Sequence, residues 1–357
     1  KYLHMLKKEL RAIDALEEAQ KIAFAPFVFQ TTVCLKRLGV LEYIFKNRDQ
    51  DGVTINELSK ALSISVYGLS VLLEIALSSN IVVLNSKEKY QLTKTGYFLN
   101  YNETVEVNLN FTNDVCYEGL FYLKDAIREQ KPSGLKVFGD WDTIYDGLSE
   151  LKPEVQKSWF EFDHHYSDGI FNEALKYVFK NNPKTIYDIG GNTGKFALQC
   201  LNHNDTVKIE IFDLPGQLKK ALFNLKNNGF ENRVHGNEIN WLKPNPQIKK
   251  GADLIWMSQF LDCFSENEII TILKTCVASM NENTQLIIIE TFTDRQKFDN
   301  AKFSLEATSL YFTALANGTS KMYPVTVFET LIKKSGLSLD EDHQLGDYHT
   351  MLVCTKK

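Results

Sequence analysis

Apolar positions near the start of the chain recur at helical spacing. Leu6, Leu10, Ile13, Leu16 and Ile22 mark one amphipathic helix. A second, over residues 27–45, is apolar on more than one face through Phe27, Phe29, Val33, Leu35, Leu38, Leu41 and Ile44. Such a helix needs a cover, and a second copy of the chain is the expected one. Residues 54–96 predict a winged helix. Thr54-Ile55-Asn56-Glu57 is a capping box that opens a short helix, a longer helix follows over 67–77, and residues 82–84 and 90–92 supply two wing strands. Residues 106–181 read as helical and rich in aromatic side chains. After Pro183 the pattern changes to strands at 185–190, 208–213, 253–257, 285–290 and 349–355 with helices between them. That alternation predicts a mostly parallel sheet covered on both faces. Three segments are therefore expected. They are a helical, winged-helix dimerisation domain at 1–105, a helical connector at 106–181 that contributes to a substrate pocket, and an α/β catalytic domain at 182–357.

Bulk properties narrow the partners. With 357 residues and a net charge of −5, the chain lacks the basic footprint that gripping nucleic-acid phosphates requires. Within the winged helix the charges balance, and Leu69, Val71, Leu72 and Leu73 on the second helix offer little to base edges. No apolar run is long enough to span a bilayer, and the opening residues hold no signal-peptide core. The six cysteines are scattered without a C-x-x-C pair, so no metal site is expected and the thiols are expected reduced, as in the cytoplasm. Neither nucleic acid nor membrane is an expected partner.

The strongest local signal is Ile186-Tyr187-Asp188-Ile189-Gly190-Gly191-Asn192-Thr193-Gly194-Lys195-Phe196. A buried strand runs into a glycine-rich turn and then a helix, which brings backbone close to a nucleotide-like ligand. No G-x-G-x-x-G can be laid on it, so it is not the dinucleotide fingerprint. Phe212-Asp213-Leu214-Pro215 follows at the tip of the next strand. A carboxylate there can accept hydrogen bonds from two ribose hydroxyls.

With these two motifs the chain resembles the plant-type and bacterial small-molecule O-methyltransferases. Their architecture is a winged-helix dimerisation domain before a Rossmann-like class I methyltransferase domain built on a seven-stranded, mostly parallel sheet. The resemblance implies S-adenosylmethionine as cofactor, with Asp188, Gly190 and Gly194 at its methionine end and Asp213 and Leu214 at its ribose. It puts the adenine site at His235-Gly236-Asn237-Glu238-Ile239, where Asn237, with Glu238 beside it, stands in place of the family's aspartate. Along Met257-Ser258-Gln259-Phe260-Leu261-Asp262-Cys263-Phe264-Ser265, Ser258 stands where the family has lysine and Asp262 where it has the catalytic histidine. Glu290 matches the glutamate that orients that histidine. A second orienting glutamate is expected near Val327-Phe328, where neither of those two residues is acidic.

These departures matter because a phenol ionises near pH 10, so a base helps methyl transfer at neutral pH. A carboxylate serves only if its pKa is raised, and apolar Phe260 and Phe264 with nearby Glu290 would raise that of Asp262. Phe160, His165, Tyr166, Phe260 and Asn317 are the pocket candidates. Of the adjacent His164 and His165 at most one can face the site, since they point in different directions on a helix. The expected activity is O-methylation of a small phenolic acceptor, free or carrier-tethered, by a homodimer. Methylation of a ring carbon beside a hydroxyl, or a weakened protein that keeps the cofactor fold, are the alternatives.

Overall fold

A computed structural model describes residues 10–357, so Leu6 of the first expected helix lies outside the described residues. The chain divides into two compact units between Asn113 and Asp114.

The first unit is helical with one small hairpin. Helix Ala12–Ala23 buries none of its residues, leaving Leu10, Ile13, Leu16 and Ile22 exposed. The helix expected over 27–45 is two helices, Ala25–Arg37 and Val40–Lys46. Gly39 breaks it by taking a left-handed φ of 75°, which side chains resist. The Thr54 hydroxyl caps Glu57 N–H, and the Glu57 carboxylate accepts from Thr54 N–H, before helix Ile55–Leu62. Helix Val66–Ser78 turns Leu69, Leu73 and Ala76 into a core with Leu35, Leu41, Ile44 and Leu58. Strands β1 (Val82–Leu84) and β2 (Tyr90–Leu92) pair antiparallel as the wing.

The second unit carries a seven-stranded sheet: β3 (Thr185–Ile189), β4 (Lys208–Asp213), β5 (Val234–Glu238), β6 (Leu254–Ser258), β7 (Gln285–Glu290), β8 (Leu337–Leu345) and β9 (His349–Lys356). Their order is β5-β4-β3-β6-β7-β9-β8, with β7/β9 and β9/β8 antiparallel and all other pairs parallel. The hydrophobic pattern announces five of these strands. β5 and β8 lie at the two edges, and their residues (His235-Gly236-Asn237-Glu238 and Asp340-Glu341-Asp342-His343-Gln344) are too polar to alternate as a half-buried strand does. Two apolar cores cover the sheet's faces, one around Tyr187, Ile255 and Phe328, the other around Phe196, Trp256 and Ile287. β3 and β6 run side by side at the centre, so their carboxyl ends open onto one edge, where open α/β sheets bind ligands. Among the described residues no helix is long and apolar enough to cross a membrane.

Candidate active site

At the end of β3 the chain turns sharply. Gly190 has φ 72°, and a side chain on it would collide with the Phe260 ring, whose nearest atom lies 2.3 Å from an ideal Cβ. Gly194 (φ 79°) leads into helix Lys195–His203, and its N–H donates to Gly191 O at 2.8 Å. Asn192 also takes a left-handed φ, 50°. That places its N–H 2.7 Å from one oxygen of Asp213, at the tip of β4, while Leu214 N–H donates to the other oxygen at 2.7 Å. Each Asp213 oxygen is thus oriented by one amide and keeps a lone pair for a ligand hydroxyl. Burial raises the acid to about 6.

Asp188, 2% exposed, is pushed up to about 8 by burial and then by Asp213. Its Oδ2 has no partner, nor do Asn192 Oδ1, Ser258 Oγ or Glu290 Oε2. Buried polar atoms left unpaired are rare in proteins; here four gather at one sheet edge. A narrow cleft, of about 60 Å³, is lined there by Asp188, Gly190, Thr193, Ser258 and, from helix Pro153–Ser167, Asp163 and His164.

The helix presents His164 rather than the expected His165. Adjacent helical residues point about 100° apart, and it is His164 that lies 3.4 Å from Thr193 Oγ1 and stacks on Phe160. His165 packs edge-on against Tyr166, whose ring also meets Phe162. The far end of the expected cofactor site differs as well. Asn237 donates its amide to Glu210 at 3.2 Å, while Glu238 is the residue in register with Asp213.

Asp262 and Glu290 come together as the sequence suggests, through an arrangement it does not show. Glu290, 2% exposed at the end of β7, accepts from Leu261 N–H at 2.9 Å and Phe260 N–H at 3.2 Å. It therefore holds the backbone of the loop that carries Asp262 rather than the Asp262 side chain. Asp262 is 5% exposed, receives a long S–H contact, 3.5 Å, from Cys263, and is also held by the backbone N–H groups of Cys263 and of Asp262 itself. Burial, with Asp163 nearby, pushes it up to about 7. Burial and then Asp262 push Glu290 well above the usual carboxylate range. Two other pocket candidates are occupied in packing. Phe260 lies against Gly190 and edge-on to Phe264. Asn317 donates to Cys263 O at 2.7 Å and accepts from Ser320 N–H and Oγ–H, so it pins the Asp262 loop. Two residues that the sequence did not single out join the site. Asp163 accepts from Asn192 Nδ2 at 2.7 Å, and the buried Tyr145 hydroxyl lies near the Cys263 thiol, with Asp262 among the charges acting on it.

These raised acids give stability a definite pH dependence. The folded chain keeps protons on Asp188 and Asp262 that an unfolded chain has already released by pH 6.5. His349, lowered to about 4 by burial, opposes this only below its unfolded value of about 6.5. Between pH 6.5 and 8 stability should therefore fall as pH rises, by roughly 2 kcal/mol. Denaturant melts across that window should show it; a rising or flat trend would mean that these carboxyls are already ionised in the ligand-free fold.

A Dimerisation2-like domain matches residues 17–90. The O-methyltransferase SfmM3 of Streptomyces lavendulae is 24% identical over 184 residues, 50% of this chain and 54% of that protein; the chain thus spans about half the length of that relative. The solved mitomycin 7-O-methyltransferase MmcR is 16% identical, covered over 97% of this chain and 98% of its own, with a TM-score of 0.72. An O-methyltransferase of neocarzinostatin biosynthesis, solved with S-adenosylmethionine and 2-hydroxy-5-methyl naphthoic acid, is 16% identical over 93% of this chain and 96% of its own (TM-score 0.67). These two structures share the fold described above. The O-methyltransferase domain itself matches residues 120–338, more than half of the sequence, and the chain belongs to that family.

Proposed function

We propose that this protein is an S-adenosylmethionine-dependent methyltransferase that acts on the hydroxyl oxygen of a small aromatic acceptor, with Asp262 as the base. One observation carries this reading: a buried, proton-hungry carboxyl stands in the loop after β6, the strand beside the one that ends in the glycine turn, and the neighbouring Asp213 is already oriented to receive hydroxyls. The residues fit the cofactor. Asp213 keeps free lone pairs for the ribose, and the unpartnered Asp188 and Ser258 atoms line the cleft beside Gly190 and Gly194. Asn237 and Glu238 would flank the adenine, with Leu214 beside the ribose. When bound, the cofactor supplies an electrophilic methyl group on a sulfonium. Displacement at such a carbon asks mainly for alignment and a proton acceptor. Glu290 fixes the loop, Asn317 pins it from the other side, and Asp262 takes the acceptor's proton. Phe160, Tyr166 and the histidine pair lie on the helix from which residues 106–181 would shape the acceptor pocket, ahead of the cofactor-binding stretch at 182–357.

The test is to incubate the protein with methyl-labelled S-adenosylmethionine and a panel of phenols and locate the label by mass spectrometry. Label on oxygen supports the reading. Label on a ring carbon, or cofactor binding without transfer to any phenol, contradicts it.

We also infer a homodimer formed by the amino-terminal segment, residues 1–105. Ile13, Leu16, Ile22, Phe24 and Phe27 are exposed on its first helices, an apolar patch of the kind that marks an interaction surface. Sedimentation at micromolar concentration should give twice the chain mass, and Ile13→Lys with Phe27→Glu should shift it toward the monomer. A stable monomer of the parent protein would contradict the inference. All six cysteines are free thiols, which suits a cytoplasmic setting.

A further inference from the structure

Asp262 stands in the middle of a single tight turn, Leu261–Cys263, between the end of β6 and the helix Glu266–Ser279. A base that must reach a substrate oxygen at hydrogen-bond distance needs that turn held on both sides. Glu290 holds the incoming side through Phe260 N–H and Leu261 N–H. The outgoing side is held by the segment 317–323, which donates to two successive carbonyls. Asn317 Nδ2 reaches Cys263 O at 2.7 Å, and the Tyr323 hydroxyl reaches Phe264 O at 2.7 Å.

The surroundings of Tyr323 make it a rigid anchor. It is 3% exposed and its ring packs on Phe328, so its hydroxyl has little freedom to follow a moving turn. Its carbonyl accepts from Thr293 N–H at 3.1 Å, in the loop after β7. On either side the chain is fixed as well. Met322 N–H donates to Ser309 Oγ at 3.1 Å, and Val325 N–H donates to Asp294 Oδ1 at 2.8 Å. Tyr323 therefore ties the loop after β6, which carries Asp262, to the loop after β7, the strand that ends in Glu290.

We propose that Tyr323 is a positioning residue for methyl transfer, whose bond to Phe264 O, beside the Asn317 bond to Cys263 O, sets where Asp262 stands. This rests on the reading of Asp262 as the base and adds a residue that acts through it. Tyr323 stays neutral and keeps its proton throughout. A held turn also keeps water away from Asp262, whereas a loosened one admits water and favours the ionised carboxylate. Cys263 beside it, Asp163 from helix Pro153–Ser167, Tyr145 from helix Ile144–Gly147 and Glu290 from β7 are the ionisable groups that act with Asp262. Tyr323→Phe removes none of them and changes no charge. A shift in the pH profile of that variant thus reports movement of Asp262 itself.

The test compares the parent, Y323F, D262N and the double variant as full chains, with the phenol of the panel above that is methylated fastest. Y323F keeps the ring and its packing and removes one oxygen. It should lower kcat by about tenfold and leave KM for S-adenosylmethionine, and the calorimetric affinity for S-adenosylhomocysteine, within about twofold. The midpoint of the rise of kcat/KM with pH should move down by about one pH unit. In ligand-free protein, hydrogen exchange read by mass spectrometry should quicken by about tenfold in the peptide covering residues 260–264. In the D262N background Y323F should change kcat by less than about twofold, because the side chain it positions no longer takes a proton. A tenfold loss in both backgrounds, or a lower melting temperature with kcat and the pH midpoint unchanged, would make Tyr323 a purely structural residue and overturn the proposal. Turnover in D262N equal to that of the parent, or no methylation of any phenol, would instead bring down the reading of Asp262 as the base, and the proposal with it.

Discussion

Asp262→Asn should lower turnover by about 10²-fold or more, the contribution expected of a positioned general base, while cofactor affinity stays near that of the parent. The substitution keeps the shape of the side chain and removes only its ability to take a proton. It should not unfold the loop, because Glu290 binds the backbone amides of Phe260 and Leu261 rather than the Asp262 side chain. Removing a buried carboxyl whose ionisation is already disfavoured should leave stability at pH 8 equal or higher. Loss of kcat with an unchanged or raised melting temperature therefore distinguishes chemistry from structure. His164 is the rival base, since it lies in the cleft beside Thr193. Turnover that survives Asp262→Asn and collapses in His164→Ala would move the base to that helix.

The second large effect is on cofactor binding. Asp213→Ala should weaken it by about 2 kcal/mol, roughly 30-fold, the value of charge-assisted hydrogen bonds to two hydroxyls. The same carboxylate also receives Asn192 N–H and Leu214 N–H, so part of the loss would come from loosening the glycine turn. Asp213→Asn separates the two contributions. It keeps the size and one acceptor oxygen and should lie between alanine and the parent in calorimetry with S-adenosylhomocysteine. Equal affinity for all three proteins would remove Asp213 from the ribose site.

What could be read from the sequence divides along physical lines. The glycine turn and Asp213 were visible because both are local: a buried strand, then residues that tolerate left-handed backbone, then an acid at the next strand's tip. The capping box at Thr54 and the strands β3, β4, β6, β7 and β9 were visible for the same reason. The edge strands β5 and β8 were not, because a strand with solvent on one side and few apolar residues has no period to detect. The break at Gly39 was hidden beneath a continuous run of apolar residues. At the site, Asp262 and Glu290 could be paired from the resemblance, but not the Glu290 contact with the Phe260 and Leu261 amides, which depends on how β6 and β7 register. Tyr145 and Asp163 come from segments remote in sequence, and nothing local distinguishes them from the other aromatics and acids of the connector. The choice between His164 and His165 needed the rotation of the helix about its axis.

The account depends most directly on Asp262 being the group that must lose its proton before methyl transfer. The decisive measurement is the pH dependence of kcat/KM for two phenols whose own pKa values lie well apart, in the parent and in Asp262→Asn. The account predicts a rise with an apparent pKa near 7, the same for both phenols and absent from the variant. A rise that follows each phenol's own pKa and persists unchanged in Asp262→Asn would contradict it.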